Sequence, residues 1–271
     1  MTIKVLLRGG GDLSSGSALR MARVGMQVLV CELAQPYTVR RSVSFAQAVY
    51  SNLIRIEDIS GQLVDSIINA QEIFSSMTIP VLIDPNINCL EEFNPDVIVD
   101  GRMKKDIPEY NLLDKPRIIG LGPGFTCGIN CHLAIETRRG PLLGRVIRKG
   151  TPENDTGIPE KVGNYTSERV LRASTAGIFQ AKAKIGERVL ADQVVGVIDG
   201  SLITTPFDGM VRGLLHDGLP VTKGLKIGDI DPRFDQGLIE IVSDKALAIG
   251  GGVLEAILSW PELRIKLASN L

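Results

Sequence analysis

The sequence carries almost no net charge and few aromatic residues. Its 30 lysines and arginines nearly balance 31 aspartates and glutamates, which gives a formal net charge of −1. Because this balance provides no general attraction for polyanions, we expect no nucleic acid partner. The aromatic residues are limited to seven Phe, four Tyr and one Trp, whereas 29 of 271 residues are glycine, above the usual share of about 7%. This mixture favours loops built from main chain and close packing of small residues.

Long apolar runs and a secretory leader are also missing. No run approaches the roughly 20 apolar residues that a membrane-spanning helix needs, so we expect no membrane contact. The first residues lack the basic and apolar segments of a signal peptide, and we therefore expect a cytoplasmic protein. In that compartment the cysteines should be free thiols rather than a disulfide framework. They are Cys31, Cys89, Cys127 and Cys131.

The first part of the chain alternates short apolar runs with helical patterns. Apolar residues at helical spacing predict helices at 14–24 and 62–74. Because strands that alternate with helices favour a parallel sheet, we predict an α/β fold with a Rossmann-like domain over residues 1–130. Apolar runs closed by Gly, Pro or Asp predict its strands at 3–7, 27–33, 80–84, 96–100 and 117–120.

From about residue 130 the pattern changes to alternating residues separated by glycine turns, which favours a mostly antiparallel β domain over 131–242. Residues 177–198 align with 209–230 at an offset of 32 positions, with five identities. Because two such halves can bury their apolar faces against each other, they predict a barrel-sandwich.

The remaining residues, 243–271, predict a C-terminal helical segment. A glycine run interrupts its pattern, and glycine is costly inside a helix. It indicates either close approach of another backbone, which we favour, or a break between two short helices. The run consists of Gly250, Gly251 and Gly252.

A glycine turn between the first predicted strand and helix resembles a dinucleotide-binding fingerprint. Glycines let the main chain approach a pyrophosphate, and an acid at the end of the next strand, here Glu32, accepts ribose hydroxyls. Asp12 departs from that pattern because its carboxylate stands where a phosphate would bind. The turn predicts nucleotide or phosphate binding, with a purely structural strand-to-helix turn as the alternative. Its residues are Gly9, Gly10, Gly11 and Asp12.

A second glycine loop contains Gly122 and Gly124 and follows another predicted strand. If both strands are parallel neighbours, the two loops share a crevice at the carboxyl edge of the sheet. Cys127, Cys131 and His132 follow, and a thiol beside an imidazole could act as a nucleophile or sulfur carrier. Buried, inert thiols are the alternative. We predict no metal site, because no second ligand pair of suitable spacing accompanies these residues.

Charged residues near the same predicted edge are further candidates. Arg40 and Arg41 follow the second strand and could clamp a phosphate or carboxylate, although such pairs are often only solvated. Asp84 and Asp100 each end a predicted strand and could act as acids, bases or hydroxyl contacts. They could equally cap the loops that follow.

Taken together, the chain resembles the YqeB-like family of selenium-dependent molybdenum hydroxylase accessory proteins, distantly akin to XdhC/CoxI-type maturation factors. The resemblance implies a maturation role, with a molybdopterin-type cofactor or another nucleotide such as NAD(P) as ligand and a molybdenum hydroxylase apo-enzyme as partner. It names no catalytic residues, and homo-oligomer formation stays open. The matching stretches are residues 8–13, 120–125, 135–140, 144–147, 168–172, 226–233, 243–245 and 251–256.

The repeat also looks like a biotinyl/lipoyl-type barrel. The stretch at its hairpin tip, residues 198–202, contains no lysine, so no biotin or lipoyl attachment is expected. Two other functions stay open beside maturation. They are an NAD-dependent oxidoreductase, supported by the first glycine turn and Glu32, and a non-catalytic docking scaffold in which the glycine loops are structural.

Overall fold

The computed structural model describes residues 2–74, 77–103, 110, 112, 115–154, 157, 159 and 161–269. The chain divides into two compact units, each assembled from separate segments. Unit 1 comprises Met1–Pro36, Ser44–Asp155 and Val242–Leu271, and unit 2 comprises Tyr37–Val43 and Thr156–Ile241. The division predicted from the sequence, at residues 130 and 242, stays a prediction.

The helices are α1 (Asp12–Arg23), α2 (Ala48–Ser51), α3 (Ile67–Ile73), α4 (Leu90–Phe93), α5 (Gly237–Glu240), α6 (Asp244–Ser259) and α7 (Pro261–Ala268). Short 3-10 helices lie at Arg41–Val43 and Phe45–Gln47. None of the described helices is long and apolar enough to cross a membrane.

Unit 1 contains a nine-stranded sheet in the order β3-β4-β5-β2-β1-β6-β7-β8-β9. The strands from β4 to β8 in this order are parallel, and the edge strands β3 and β9 are antiparallel to their neighbours. The strands are β1 (Lys4–Arg8), β2 (Gln27–Glu32), β3 (Leu53–Ile56), β4 (Ile59–Val64), β5 (Thr78–Ile83), β6 (Val97–Asp100), β7 (Arg117–Leu121), β8 (Leu133–Ile135) and β9 (Val146–Ile147).

Apolar residues bury both faces of the central strands, as is usual for a parallel sheet. On one face, Leu6, Leu29 and Ile98 pack with Phe93 and Ala70 in a single core cluster. The helix predicted at 62–74 is only partly correct, because residues 59–64 form β4 and the helix begins at Ile67. Leu63 fits the helical spacing, but its pairing with Val81 in the sheet determines its conformation.

The predicted close approach at the C-terminal glycines is confirmed. A Cβ added to Gly250 would lie 2.6 Å from the carbonyl oxygen of Gly16, and one added to Gly16 would lie 2.5 Å from that of Ala246. The backbones of α1 and α6 therefore touch through glycine. Gly251 faces away, and the nearest described atom to an added Cβ is Arg20 Nε at 4.0 Å.

Unit 2 contains two four-stranded antiparallel sheets, in the orders β10-β17-β15-β12 and β14-β13-β11-β16. The short strand of each repeat copy pairs with the other copy: Val189 pairs with Gly209, and Val221 pairs with Gly177. The strands are β10 (Val170–Arg172), β11 (Gly177–Ala181), β12 (Arg188–Val189), β13 (Val194–Ile198), β14 (Ser201–Thr204), β15 (Gly209–Leu214), β16 (Pro220–Val221) and β17 (Lys226–Asp231).

The predicted fold class is wrong in two respects. The main sheet continues beyond residue 130, where the Rossmann-like domain was predicted to end. Strand β8 adds to it in parallel, and β9 forms an antiparallel edge strand. In the part of unit 2 that the structure describes, no strand pairing joins the two sheets, so the closed barrel-sandwich is not formed. The physical reason for the first error is that β8 is only three residues long and fully buried, so it shows no alternation that would reveal its orientation.

Candidate functional site

The carboxyl ends of the parallel strands in unit 1 lie at one edge of the sheet. The chain leaves β1 for β2 on one side, and β6 returns on the other side of β1. Strand order therefore changes direction at β1 and β6, and α/β proteins place their ligands outside the carboxyl ends at such a switch point. The candidate site is built from residues at this edge.

Three polar residues form a row across the strand ends. Arg8 pairs in register with Cys31 on one side and with Asp100 on the other. Residues paired in register on parallel strands point to the same face. The row lies two positions beyond the apolar core residues of the same strands, so it lies on the same face of the sheet as that core. An ionic and thiol-bearing layer thus replaces the hydrophobic layer at the end of the sheet.

A thiol and carboxylate cluster lies at one end of this row. The cluster consists of Cys31, Asp84 and Cys89, whose sulfur and oxygen ligand atoms all lie within 4.8 Å of one another. The two Sγ atoms are 3.6 Å apart, and the Cys89 amide donates a 2.8 Å hydrogen bond to Asp84 Oδ2. Among the described residues, Asp84 Oδ1 has no hydrogen-bond partner. The three residues are 1%, 6% and 8% exposed.

Neighbouring groups shift the pKa values of Cys31 and Asp84 in opposite directions. The hydrogen bond to Cys89 and burial raise the pKa of Cys31, and the positive charge of Arg8 opposes them. Burial also raises the pKa of Asp84, but hydrogen bonds from the Cys89 amide and the other amides of the loop outweigh it and leave that pKa below its usual value. The cluster therefore presents a buried carboxylate beside the protonated thiol of Cys31.

Side-chain hydrogen bonds hold the other end of the row. Arg102 Nη2 donates to Asp100 Oδ2 at 2.6 Å, and the Tyr110 hydroxyl donates to the same oxygen at 2.7 Å. Arg8 Nη1 donates to the Tyr110 hydroxyl at 3.1 Å. Burial and the charge of Asp100 raise the pKa of Tyr110. Asp100 thus holds this end of the row together, as a loop-capping carboxylate would.

Cys127 and Cys131 form a second thiol pair. An isolated parallel bridge joins their backbones, and Cys127 Sγ donates to the Ile147 carbonyl at 3.1 Å. Cys131 is completely buried and Cys127 half-buried. The Nδ1 atom of His132 accepts a 2.9 Å hydrogen bond from the Ile118 amide. Its predicted role beside the thiols stays a prediction.

Other groups of the protein lie against the first glycine turn. The Gly10 amide donates to Glu32 Oε2 at 2.7 Å, and a Cβ at Gly10 would lie 2.8 Å from the Ala46 nitrogen. Burial raises the pKa of Glu32 even though two amides donate to it. Gly11 caps α1, and Asp12 Oδ1 accepts from the Leu13 amide at 2.9 Å.

The two glycine turns both lie close to the segment that follows β6. Gly9 and Gly122 both have positive φ, at 91° and 77°. The chain after β6 lies between them, because an added Cβ would approach Arg102 at Gly9 and Met103 at Gly122. Gly124 is engaged elsewhere, since its carbonyl accepts from Asn130 Nδ2 at 3.0 Å. The predicted crevice shared by the two turns stays a prediction.

Arg40 and Arg41 belong to unit 2, whereas the glycine turns belong to unit 1. Arg40 Nη2 donates to the Ile241 carbonyl at 3.2 Å, and Arg41 Nε donates to the Leu214 carbonyl at 2.8 Å. Both guanidinium groups thus bind main-chain carbonyls of their own unit. Their role as a phosphate or carboxylate clamp stays a prediction.

Sequence reasoning missed the cluster of Cys31, Asp84 and Cys89. It considered Asp84 as an edge residue and looked for metal ligands only around Cys127, where the cysteines are close in sequence. A usable signal was present, because Cys31 lies two residues before the end of one predicted strand and Asp84 ends another, with Cys89 five residues later. Recognising it required the knowledge that β2 and β5 are neighbours.

Fold and site together define an α/β sheet protein with a buried thiol and carboxylate cluster at its carboxyl edge. No family model matches the chain. The chain is 43% identical over 262 residues to a protein of Escherichia coli (strain K12) named "Uncharacterized protein YqeB". The match covers 97% of this chain and 48% of that protein, so the chain spans about half the length of its curated relative.

Comparison with solved structures gives only distant likeness. An aspartoacylase family protein from Mesorhizobium loti is 10% identical, with 84% of each chain covered and a TM-score of 0.25. A succinylglutamate desuccinylase/aspartoacylase from Rhodobacter sphaeroides is 17% identical, with 84% of this chain and 85% of that chain covered and a TM-score of 0.26. Scores this low carry no argument about fold or activity.

These findings correct the function inferred from resemblance. The curated relative has no function in its name and no family model matches, so neither comparison supports a maturation role. The assignment to molybdenum hydroxylase maturation, with its oxidoreductase and scaffold alternatives, is therefore wrong. A physical reason lies at the first glycine turn, where Glu32 binds the Gly10 amide that a phosphate would need. The predicted ligands and the predicted protein or homo-oligomer contacts stay predictions.

Proposed function

We propose that the chain binds a divalent transition-metal ion, with zinc the best match, through Cys31, Asp84 and Cys89. The observation that carries the proposal is Asp84 Oδ1, which is buried and has no hydrogen-bond partner among the described residues. A carboxylate oxygen of Asp84 lies within 4.8 Å of the sulfurs of Cys31 and Cys89. A buried polar group without a partner costs about 1–3 kcal/mol, and more when it is charged. A bound cation would remove that cost.

The distances support metal binding by the two sulfurs. In a tetrahedral zinc site with Zn–S bonds of about 2.3 Å, two sulfurs lie about 3.8 Å apart. The Sγ atoms of Cys31 and Cys89 lie 3.6 Å apart, well beyond the roughly 2.05 Å of a disulfide. Thiolate ligands select zinc and other soft ions over magnesium or calcium.

The local charges also support a divalent ion. Two thiolates and one carboxylate around such an ion leave one net negative charge. Arg8 is the register neighbour of Cys31, so its guanidinium compensates that charge within the same row. The thiols must lose their protons when the metal binds, which makes the affinity dependent on pH.

Three protein ligands leave a fourth coordination position for water or a small ligand. This arrangement is typical of catalytic zinc sites, whereas structural sites use four protein ligands. The cluster also lies beside the switch point of the sheet, where α/β proteins bind their ligands. When bound, such a metal supplies a polarised carbonyl or an activated water. We therefore propose metal-dependent chemistry on a small ligand.

Metal titration tests the proposal. The reduced protein should bind one zinc ion in competition with a chromophoric chelator, and cobalt should give the strong ultraviolet absorption of thiolate coordination. Cys31→Ser should weaken binding by at least about 100-fold, because it removes a direct ligand. Cys127→Ser is the matched control and should bind as the wild type does. Equal loss in both variants, or a cobalt spectrum unaffected by Cys31→Ser, would rule out this ligand set.

A further inference from the structure

We propose that Cys127 and Cys131 are a redox site, which forms a reversible disulfide by exchange with low-molecular-weight disulfides such as oxidised glutathione. This inference does not depend on the proposed metal site, because it uses the other two cysteines of the chain. It goes beyond metal binding in assigning a second chemistry to the same unit.

The backbone already holds the two residues at a suitable distance. Cys127 and Cys131 face each other across a parallel bridge, and bridged strands lie about 4.8 Å apart. Disulfides join residues whose Cα atoms are about 4.4–6.8 Å apart. The turn between the cysteines is also well defined, because the Gly128 amide donates to the Cys131 carbonyl at 2.8 Å and the Thr126 amide donates to Asn130 Oδ1 at 2.7 Å.

Cys127 also packs against the apolar cluster that contains Cys131. Burial raises the pKa of Cys131, and the neighbouring Cys127 raises it further. In the described part of the chain, no His, Asp or Glu side chain completes a ligand cluster with this pair. The surroundings are instead apolar, since Ile118 and Phe125 pack around Cys131. Such a site favours a covalent bond between the thiols over metal binding.

The two cysteines differ in access, and this difference assigns their order of reaction. Cys127 is half-buried, whereas Cys131 is completely buried and remains a protonated thiol. Exchange requires an accessible attacking thiolate and then a second thiol that displaces the mixed disulfide. Cys127 is therefore the attacking residue, and Cys131 is the resolving residue.

The reaction balances without any further reagent. The Cys127 thiolate attacks one sulfur of oxidised glutathione, forming a mixed disulfide and releasing one glutathione thiolate. Cys131 then gives its proton to that thiolate and attacks Cys127 Sγ, which forms the internal disulfide and releases the second glutathione. Two protein thiols lose two electrons, and one glutathione disulfide becomes two thiols. Excess reduced glutathione reverses both steps.

Thiol trapping tests this inference on the zinc-treated 271-residue chain. Samples equilibrated at several ratios of reduced to oxidised glutathione are quenched with acid, alkylated and analysed by peptide mass spectrometry. We expect a linked 127–131 peptide that disappears on reduction. In Cys131→Ser, the glutathione adduct on Cys127 should persist at a level at least about tenfold above wild type, because nothing resolves it. Cys89→Ser is the control and should still form the linked peptide.

Three results would overturn the inference. They are a lasting glutathione adduct on Cys127 in the wild type, the absence of any adduct or linkage, and linkage of Cys31 with Cys89 in place of the proposed pair. The first two would not bear on zinc binding by the Cys31 cluster, which the chelator titration measures separately, whereas the third would also count against that site. The wild-type experiment also stands if a variant fails to fold.

Discussion

The four cysteines of unit 1 form two pairs whose surroundings differ in one main respect. Cys31 and Cys89 are 58 residues apart in sequence and share their space with the Asp84 carboxylate. Cys127 and Cys131 are four residues apart, and the partner of Cys127 Sγ is a main-chain carbonyl. The third group therefore determines the chemistry. An anion with an unsatisfied oxygen favours a cation, and a neutral, apolar environment favours a sulfur–sulfur bond.

The largest expected effect comes from adding metal. Zinc at a free concentration of about 1,000 times its Kd should raise the free energy of unfolding by about 4 kcal/mol. The physical reason is that only the native state brings Cys31 to Cys89, so the unfolded chain gains little from the ion. Urea unfolding with a non-thiol reductant measures the change. Cys31→Ser should show no increase at the same concentration, and Cys127→Ser should show all of it. Stabilisation of Cys31→Ser would place the metal elsewhere.

Removing the charge of Asp84 should make the Cys31–Cys89 pair behave more like the Cys127–Cys131 pair, with weaker metal binding and easier disulfide formation. Asp84→Asn preserves the shape of the side chain but not its charge, and we expect zinc affinity to fall at least about tenfold, or about 1.4 kcal/mol. The metal-free variant should also form a Cys31–Cys89 disulfide in glutathione buffers more readily, because no carboxylate opposes the thiolate. Chelator competition and thiol trapping measure the two effects.

Asp12→Asn is the matched control for this charge change. Asp12 begins α1, which follows the carboxyl end of β1, and it is not part of the cluster. Since water screens charges that are separated and partly exposed, its zinc affinity should stay within about twofold of wild type. A tenfold loss in Asp12→Asn would mean that general charge, not a direct ligand, attracts the ion.

Local sequence patterns predicted much of the parallel sheet in unit 1. The runs at 27–33 and 117–120 correspond to β2 and β7 within a residue at each end. These strands are continuous apolar segments closed by turn residues, so their pattern is unambiguous. The close approach at Gly250 was also predictable, because glycines interrupt an otherwise regular helix. The extent of the sheet was not, since β8 is too short to show its direction.

The candidate metal cluster could not be found from spacing alone. Its ligands come from the end of β2 and from the segment that follows β5, which become neighbours only through the strand order β5-β2-β1. Strand order depends on how the helices pack, and it cannot be inferred from a single sequence. The glycine turns mislead for the opposite reason. Gly10 is needed because the protein's own backbone at Ala46 comes close, and the same residue type would serve a phosphate equally well.

The smallest expected effect concerns the turn that joins the second pair. Gly128 lies between Cys127 and Cys131 with φ of 82°, and Gly25 has φ of 81° in the turn after α1. No described heavy atom lies within 4 Å of a Cβ added at either position. Alanine at either position should therefore lower the free energy of unfolding by about 1 kcal/mol through backbone strain alone. Urea unfolding should show the full loss in Gly25→Ala and at most that loss in reduced Gly128→Ala.

Only Gly128→Ala should change the disulfide equilibrium. In the reduced protein the turn can relax and relieve part of the strain, whereas a bond between Cys127 and Cys131 fixes the turn and retains the strain. The equilibrium with glutathione should consequently shift toward the dithiol by up to about fivefold, and Gly25→Ala should match the wild type. An equal shift in both variants would mean that overall stability governs the pair. The absence of a shift in Gly128→Ala would mean that the turn does not hold the two thiols together.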